Sequence, residues 1–403
     1  RSRMGFVFDT INDFKGQKKT RDMLDAKLYY WGENPTINRY EKMVYDLEGK
    51  AHPDMYTANH KIASKFFGFV VDQEVSYLLG NGVAFNKDAT KKALGATFDE
   101  DIMDAARHAL IGGQSFVFWN LDHIQVFAPE QFVPLYDEED GALKAGIRFW
   151  QIDPDKPLRA TLYEMDGYTN YIKPRNGEVR SLNGKLPYKL KVRYSEIDGT
   201  EIYDGENYPG FPIIPLKNGE QARSELCGRK NTVDALDLAS SNMVNNVDEG
   251  NLIYWVLTNC GGMDEIDDAK FVERLKTTHV AHADGDEGAK ATPQSIEAPF
   301  QGTQATIDML TKKLYTDFQA FDASAVSAGN QTATAIKASY VPLDLKTNLR
   351  AGSRAASRAF WQLLGLMMNQ LTRATRLSIS RKRRRPCFSA QNTTTLSTQP
   401  ENF

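Results

Sequence analysis

One apolar segment, residues 61–79, constrains the fold of this chain more than any other stretch. Ile62, Phe66 and Val70 recur at a spacing of four beside a second apolar row, which predicts one helix with a broad buried face. Residues 80–82 contain two glycines, either of which can adopt the left-handed conformation that ends a helix. Four charged side chains within the segment would be costly in hydrocarbon, so it is expected to pack in a protein core.

Beyond this helix the pattern changes to alternating residues. Short aromatic and β-branched runs lie between Gly, Asp and Asn clusters from 113 to 215, which is typical of antiparallel strands and hairpins. The predicted strands are 116–119, 124–127, 147–150, 161–163, 168–172 and 190–194. This mostly β module, which the proline-rich stretch 208–216 is expected to end, predicts an α+β fold together with the flanking helices.

The rest of the chain predicts three helices, one strand and a small compact region. The helices are 231–250, 303–318 and 332–371, the strand is 252–257, and the compact region is 259–300. Residues 319–331 form a loop of small and amide-bearing residues between the last two helices. Pro342 lies in the last helix, where the missing backbone donor predicts a kink or a break.

The helix at 231–250 carries only a thin apolar stripe, formed by Val233, Leu236, Val244 and Val247. So narrow a stripe cannot face a large core, and the helix is expected to lie between neighbours with one side wet. Its polar side chains are interpreted either as a subunit contact or as solvent-exposed residues.

The net charge of −3 hides an uneven distribution. Residues 373–403 carry seven basic side chains and one carboxylate, a net charge of +6, which leaves −9 on the rest of the chain. An acidic body argues against tight wrapping of nucleic acid, because such binding depends on phosphate neutralisation. The basic run 381–385 is interpreted as a nucleic-acid patch, a localisation-like patch or part of a disordered tail.

Motifs for catalysis are missing from the sequence. Neither a phosphate-binding G-x-x-x-x-G-K-[ST] loop nor an H-E-x-x-H or G-x-S-x-G motif occurs, and three widely spaced cysteines suggest neither zinc nor a disulfide framework. His279 and His282, followed by Asp284 and Asp286, form the best candidate metal site. Their composition also suits a surface turn, so we expect no metal and no cofactor.

The order of residues in several segments resembles one family, the portal proteins of tailed bacteriophages with long non-contractile tails. The segments are "FFGFVVDQEVSYLLGNGVAF" at 66–85, "IIPLKNGEQARSEL" at 213–226, "TVDALDLASSNMVNNVDEGNLIYWVLTNCGG" at 232–262, "GNQTATAIKASYVPLDLKTN" at 329–348 and "KLYYWGENPTIN" at 27–38. They follow the family's order over most of the chain, which makes the set specific although no single segment is.

This resemblance implies a non-enzymatic protein with a portal fold, namely a β-containing wing, a helical stem, a small α/β clip and a long kinked helix. The implied parts are the wing at 1–222 (helical over 1–80 and β-rich over 81–222), a stem helix and strand at 223–258, the clip at 259–300, a second stem helix at 301–318, the channel loop at 319–332, the long wing helix at 333–372 and a truncated crown or disordered basic tail at 373–403. The crown is thus expected to be short or absent.

The resemblance also implies how DNA is contacted. The channel loop ends in Asn330, Gln331 and Thr332, and a short loop without basic side chains can touch a phosphate backbone without holding it. Four lysines are expected to line the channel as point charges, although exposed lysines are often only solvated. These lysines are Lys312, Lys313, Lys337 and Lys346.

The implied partners are other copies of the chain in a dodecameric ring, double-stranded DNA, the terminase large subunit, a head-completion adaptor, and the major capsid and scaffolding proteins, with no membrane. The implied location is one capsid vertex of the virion, and the host cytoplasm during assembly. Two rivals stay open at this point. One is a metal-dependent enzyme with a β-rich substrate domain that uses His279 and His282, and the other is a capsid adaptor without a DNA channel.

Overall fold

Apolar helix faces and alternating strands give this chain the predicted α+β fold. A computed structural model describes residues 3–367 except 47, 56, 196–198, 251–252, 259–269, 271–272, 274–289, 296–298, 328–331, 352–355 and 357. The chain forms two compact units, the first comprising residues 1–35, 64–233 and 314–403 and the second comprising residues 36–63 and 234–313.

The described elements follow one another in a mixed order of helices and strands. The helices are α1 (Arg3–Gly16), α2 (Lys18–Trp31), α3 (Pro35–Asn38), α4 (Phe66–Leu79), α5 (Asp88–Ala93), α6 (Phe98–Gly112), α7 (Lys230–Gly250), α8 (Phe300–Phe318), α9 (Ala323–Ser327) and α10 (Ala333–Ala351). The strands are β1 (Met43–Tyr45), β2 (Ala51–Pro53), β3 (Gln114–Asn120), β4 (His123–Phe127), β5 (Phe132–Tyr136), β6 (Leu143–Trp150), β7 (Leu158–Glu164), β8 (Gly167–Lys173), β9 (Arg180–Ser181), β10 (Lys189–Tyr194), β11 (Glu201–Glu206), β12 (Ile213–Lys217), β13 (Ile253–Thr258) and β14 (Lys290–Ser295).

The first unit contains the β module, and all six strands predicted there are confirmed. An antiparallel sheet has the order β5-β6-β7-β8-β9, a second has the order β12-β3-β4, and β10 pairs only with β11. The sequence patterns missed β5 and β12, which contain Pro134 and Pro215. Both strands lie at a sheet edge, where proline's missing donor removes no bond that the sheet needs.

Two apolar clusters hold the first unit together. The larger one surrounds β3 and β4 and includes Trp119 and Phe127, each about 1% exposed. In the smaller one, α1 covers the five-stranded sheet, and Phe14 meets Phe149 edge-on at 6.1 Å between ring centres. Each such buried side chain stabilises the fold by about 1.5–3 kcal/mol, so these clusters contribute much of the stability of the first unit.

Helix α4 begins later than the sequence pattern predicted. It starts at Phe66, so the expectation that Ile62 belongs to its apolar face is wrong. Its buried face instead carries Phe67, Val70 and Val75. The helix ends at Gly80 in a right-handed conformation, and Gly82, at φ +74°, is the residue that adopts the left-handed conformation.

In the second unit, the polar side of α7 binds the segment 58–62 of the same chain. Ser241 Oγ, Asn245 Oδ1 and Glu249 Oε1 accept hydrogen bonds from the backbone amides of Ile62, His60 and Ala58 at 2.9, 2.6 and 3.1 Å. Four helical residues rise about 6 Å and two strand residues about 6.7 Å, so every second amide meets every fourth side chain. At these positions the polar face of α7 is therefore an intrachain contact, an alternative that the sequence interpretation did not contain.

The remaining predictions for the second unit are met in part. The predicted strand at 252–257 is β13, which pairs antiparallel with β14. Most of the compact region 259–300 lies outside the described residues, and so do His279 and His282. In the described part of the chain, no helix combines the length and apolarity that a membrane span requires.

The long C-terminal helix is confirmed over its first half. Helix α10 continues through Pro342 to Ala351 without the break that was one of the two predicted outcomes. Residues 356 and 358–367 are also helical, and the basic tail lies outside the described residues.

Candidate functional site

The segment 319–332 connects α8 to α10 in the chain, and it begins with a sharp turn at the end of α8. Gln319 adopts a left-handed conformation at φ +51°. Its amide donates to Thr316 O at 3.1 Å and the amide of Ala320 donates to Tyr315 O at 3.0 Å. This pair of bonds is a Schellman motif, which satisfies carbonyls at the end of α8 and turns the chain sharply.

The predicted loop is not entirely irregular, because it contains the short helix α9. Of its three predicted contact residues, Asn330 and Gln331 lie outside the described residues. Thr332 is exposed, and its Oγ1 accepts the amide of Ala335 at 3.3 Å. That bond makes Thr332 the N-cap of α10, a structural role that the sequence interpretation had not assigned.

The four predicted channel lysines do not share one environment. Lys312, Lys313 and Lys337 have exposed side chains. Lys346 is only 6% exposed, and its ammonium group is paired within the protein interior. The expectation that Lys346 meets phosphate is therefore corrected, because a buried and paired ammonium group cannot reach a polymer that passes the surface.

Lys346 belongs to a cluster of four charged side chains, which we call the anchor network: the buried Glu74, Glu225 and Lys346, and Arg350, which is 23% exposed. The Nζ of Lys346 lies 2.8 Å from Glu74 Oε2 and 3.0 Å from Glu225 Oε1. Arg350 Nε lies 2.7 Å from Glu74 Oε1, and a terminal nitrogen of Arg350 also pairs with Glu225. The contacts at Glu74 are close ion pairs whose angles fall outside hydrogen-bond geometry.

Helical spacing brings these groups together. Lys346 and Arg350 are four residues apart on α10, and Glu74 lies on the buried face of α4 between Val70 and Val75. These four side chains carry two positive and two negative charges. Arg229, whose side chain is 27% exposed, also pairs with Glu225 at 3.3 Å, so Glu225 has three cationic partners. Removing a partner matters, because a buried charge left uncompensated costs about 3–5 kcal/mol.

Glu225 shows the electrostatic consequence most clearly. Burial alone would raise the pKa of its carboxyl group, since the residue is 4% exposed. Lys346, Arg350 and Arg229 outweigh burial and lower the pKa of Glu225 to about 2. The carboxylate is therefore ionised at any pH at which the protein would work.

The anchor network is joined directly to the start of the 319–332 segment. Lys346 Nζ donates to the carbonyl of Phe318 at 2.7 Å, and Arg229 Nε donates to the carbonyl of Asp317 at 2.7 Å. Both carbonyls are at the C-terminus of α8, where cations are favoured by the helix dipole. We call residues 317–321 the root of the segment.

A second set of contacts fixes the root through a neutral side chain. Gln73 Nε2 donates to Phe321 O and Gln73 Oε1 accepts from Phe321 N, both at 2.9 Å. The Phe321 ring stacks on Tyr340 of α10 at 3.9 Å between ring centres, and Tyr340 stacks on Tyr77 at 6.1 Å. The start of the 319–332 segment is thus joined to α10 through Tyr340 and to α4 through Gln73.

Sequence reasoning missed Gln73, Glu74, Glu225 and Arg350 as members of a site. One signal was available for Glu74, because a carboxylate on an otherwise apolar helix face needs a buried partner. Within the described residues, no group of three or more His, Cys, Asp and Glu side chains suits a metal ion. The arrangement can hold a chain segment in place, and it resembles no catalytic constellation.

Comparison with known proteins shows several similarities. The profile of the family described as "Phage portal protein, SPP1 Gp6-like" matches residues 15–369. The portal protein of Clostridium phage phiCD119 is 23% identical over 357 residues, covering 82% of this chain and 75% of that protein. The portal protein of Bacillus phage SPP1 is 24% identical over 358 residues, covering 82% of this chain and 68% of that protein.

A solved structure described as "Neck of native GTA particle computed with C12 symmetry" contains a chain that superposes with a TM-score of 0.43 at 13% identity, covering 75% of this chain and 78% of that one. The family match spans most of the sequence and confirms the resemblance seen in the individual segments. This chain belongs to the phage portal protein family of the SPP1 Gp6-like type.

Proposed function

We propose that this chain is the subunit of a portal ring, a dodecamer that surrounds a channel at one capsid vertex and through which double-stranded DNA enters during packaging and leaves during ejection. The observation that carries the proposal is the family match over residues 15–369. The family is structural, and we assign the chain no catalytic step and no cofactor.

Each segment of the chain is assigned to one part of the ring. We assign the wing to residues 1–222 and 333–372, the stem to α7 and α8, the clip to 259–300 and the DNA-facing loop to the 319–332 segment. The anchored root supports the last assignment, because a loop that touches moving DNA needs a fixed base.

DNA would be touched lightly along the channel. Asn330, Gln331 and Thr332 would contact the phosphate backbone from the loop, and the exposed lysines Lys312, Lys313 and Lys337 would act as transient point charges. The net charge of −9 outside the basic tail would repel the duplex from most of the wall. Weak contact permits movement in both directions.

The partners follow from this role. The ring would dock the terminase large subunit during packaging and a head-completion adaptor afterwards, with major capsid and scaffolding proteins around it. Assembly would take place in the host cytoplasm, and the finished ring would remain in the virion.

Imaging of the purified full chain tests the proposal. We expect mass photometry to detect a closed oligomer and negative-stain electron microscopy to show rings with a central hole. Replacing 319–332 by a Gly/Ser linker of equal length should leave rings intact but reduce DNA packaging. A chain that stays monomeric at every concentration would overturn the portal assignment, and rings whose packaging is indifferent to the linker would favour an adaptor without a channel.

A further inference from the structure

We propose that Lys346 is a positioning residue of the 319–332 segment: it holds the root in place through the Phe318 carbonyl and never contacts DNA. The inference rests on the proposed function only for what the segment does with DNA. Its structural part concerns the first unit alone, which contains every residue involved.

The ammonium group of Lys346 makes three contacts that serve different purposes. Two are the ion pairs with Glu74 and Glu225, which balance charge in the interior. The third is the 2.7 Å hydrogen bond to Phe318 O, which balances no charge but ties the end of α8 to α10. Of the three contacts, this is the one that reaches the backbone of the root.

The surroundings of Phe318 show why one donor can control the root. The Phe318 ring is fully buried against Phe66 and Phe67, and the guanidinium of Arg229 lies 5.0 Å from its centre. The side chain is therefore fixed by packing. The backbone reverses direction at Gln319, where a non-glycine residue holds a left-handed conformation at a cost that neighbouring bonds must offset.

Gln73 provides an independent second hold three residues further on, at Phe321. Lys346 holds the root at Phe318 and Gln73 holds it at Phe321. Loosening the Lys346 contact should therefore loosen the backbone between these two points, although the ring could still assemble.

The test separates the charge-balancing role of Lys346 from its positioning role with three variants of the full chain. Lys346→Met removes both roles. Glu74→Gln combined with Lys346→Met restores equal numbers of opposite charges among the four side chains of the anchor network but still lacks the donor to Phe318 O. Lys27→Met is the matched control, because it removes the 2.7 Å ion pair with Glu130 from the same unit. Hydrogen exchange of the backbone amides of Gln319 and Ala320 is measured beside the denaturation midpoint, and the amide of Phe321, which Gln73 holds independently, is the internal reference.

We expect Lys346→Met to lower the denaturation midpoint. It should also speed hydrogen exchange at the root about tenfold, which is the effect expected from the loss of one charged hydrogen bond. The double variant should regain part of the midpoint while root exchange stays about tenfold fast, and Lys27→Met should leave root exchange unchanged. Root exchange that returns to the wild-type rate in the double variant, or that follows the midpoint in all three proteins, would overturn the proposal. If Lys346→Met does not fold, the double variant alone decides between these results.

Function is measured with the double variant in a packaging assay. Rings of normal appearance with reduced packaging would support the role in DNA handling, whereas wild-type packaging despite a loosened root would overturn it. The exchange result is independent of ring formation, so a wild-type chain that forms no ring would refute the proposed function and leave the positioning result standing.

Discussion

Helices α7 and α10 both carry polar side chains at intervals of four residues, but they use them in opposite ways. On α7, Ser241, Asn245 and Glu249 accept backbone amides of a neighbouring segment one bond at a time. On α10, Lys346 and Arg350 share two carboxylates in a charge-balanced cluster. The same sequence spacing thus gives separable bonds in one unit and an interdependent network in the other.

This difference predicts how the loss of one side chain affects the bonds beside it. Loss of Asn245 leaves only the amide of His60 without its acceptor, because the amides of Ile62 and Ala58 have their own acceptors on Ser241 and Glu249. Glu249 differs, because it also pairs with Lys42 at 3.5 Å. Loss of one charge in the anchor network leaves the opposite charges buried without compensation. Single substitutions should therefore cost more on the α10 side, and the two sides should also respond differently to pH.

The largest effect is expected for Glu74→Gln. It leaves the buried Lys346 and the partly buried Arg350 without one of their two carboxylates, and we expect the free energy of unfolding to fall by about 3–5 kcal/mol. The matched control is Asp72→Asn on the same helix, whose carboxylate pairs with Arg107 at 3.1 Å but is 43% exposed, so it should change stability by no more than about 1 kcal/mol. Urea denaturation of the two variants measures the contrast, and equal effects would show that the anchor network is not special.

The second-largest effect is expected in the pH dependence of the free energy of unfolding. The pKa of Glu225 is lowered to about 2 in the folded chain from the ordinary 4.5. The contribution of Glu225 to the free energy of unfolding is therefore complete above a pH of about 4.5 and is lost as the pH falls toward about 2. The shift corresponds to about 3 kcal/mol. Glu225→Gln should flatten this part of the curve, whereas Asn245→Ala should leave its shape unchanged. A wild-type curve that is flat between pH 5 and pH 2 would contradict the network's charge assignment.

The sequence predicted local structure well because strands and helices are set by near neighbours. It could not join Glu74 to Lys346, which are far apart in the chain and meet only after α4 and α10 pack. Lysine is usually exposed, so Lys346 was expected at the surface, although Leu343 and Thr347 beside it occupy a buried face. Ile62 fitted the apolar period of α4, but its backbone is bound to Ser241 and starts no helix.

Asn245→Ala tests the other side of the comparison. Asn245 is 2% exposed, and its loss leaves the amide of His60 without that acceptor, at an expected cost of about 1–3 kcal/mol. Asn246→Ala, at the next position of α7, is the control and should change stability little. Hydrogen exchange should accelerate at His60 while the amides of Ala58 and Ile62 remain protected. Equal acceleration at all three amides would mean that this docking is as interdependent as the anchor network.

The smallest effect is expected at Thr332, where α10 depends on one neutral bond instead of four charges. Thr332→Ala removes the 3.3 Å contact with the amide of Ala335 and should cost about 1 kcal/mol, since N-cap replacements by alanine typically do. Thr332→Asp keeps a good cap and adds a negative charge beside the proposed path of DNA. Stability measured by denaturation should therefore fall only in the alanine variant, while packaging should fall more in the aspartate variant because its charge repels phosphate. If packaging follows stability in both variants, Thr332 serves α10 alone and the DNA-contact assignment at this residue fails.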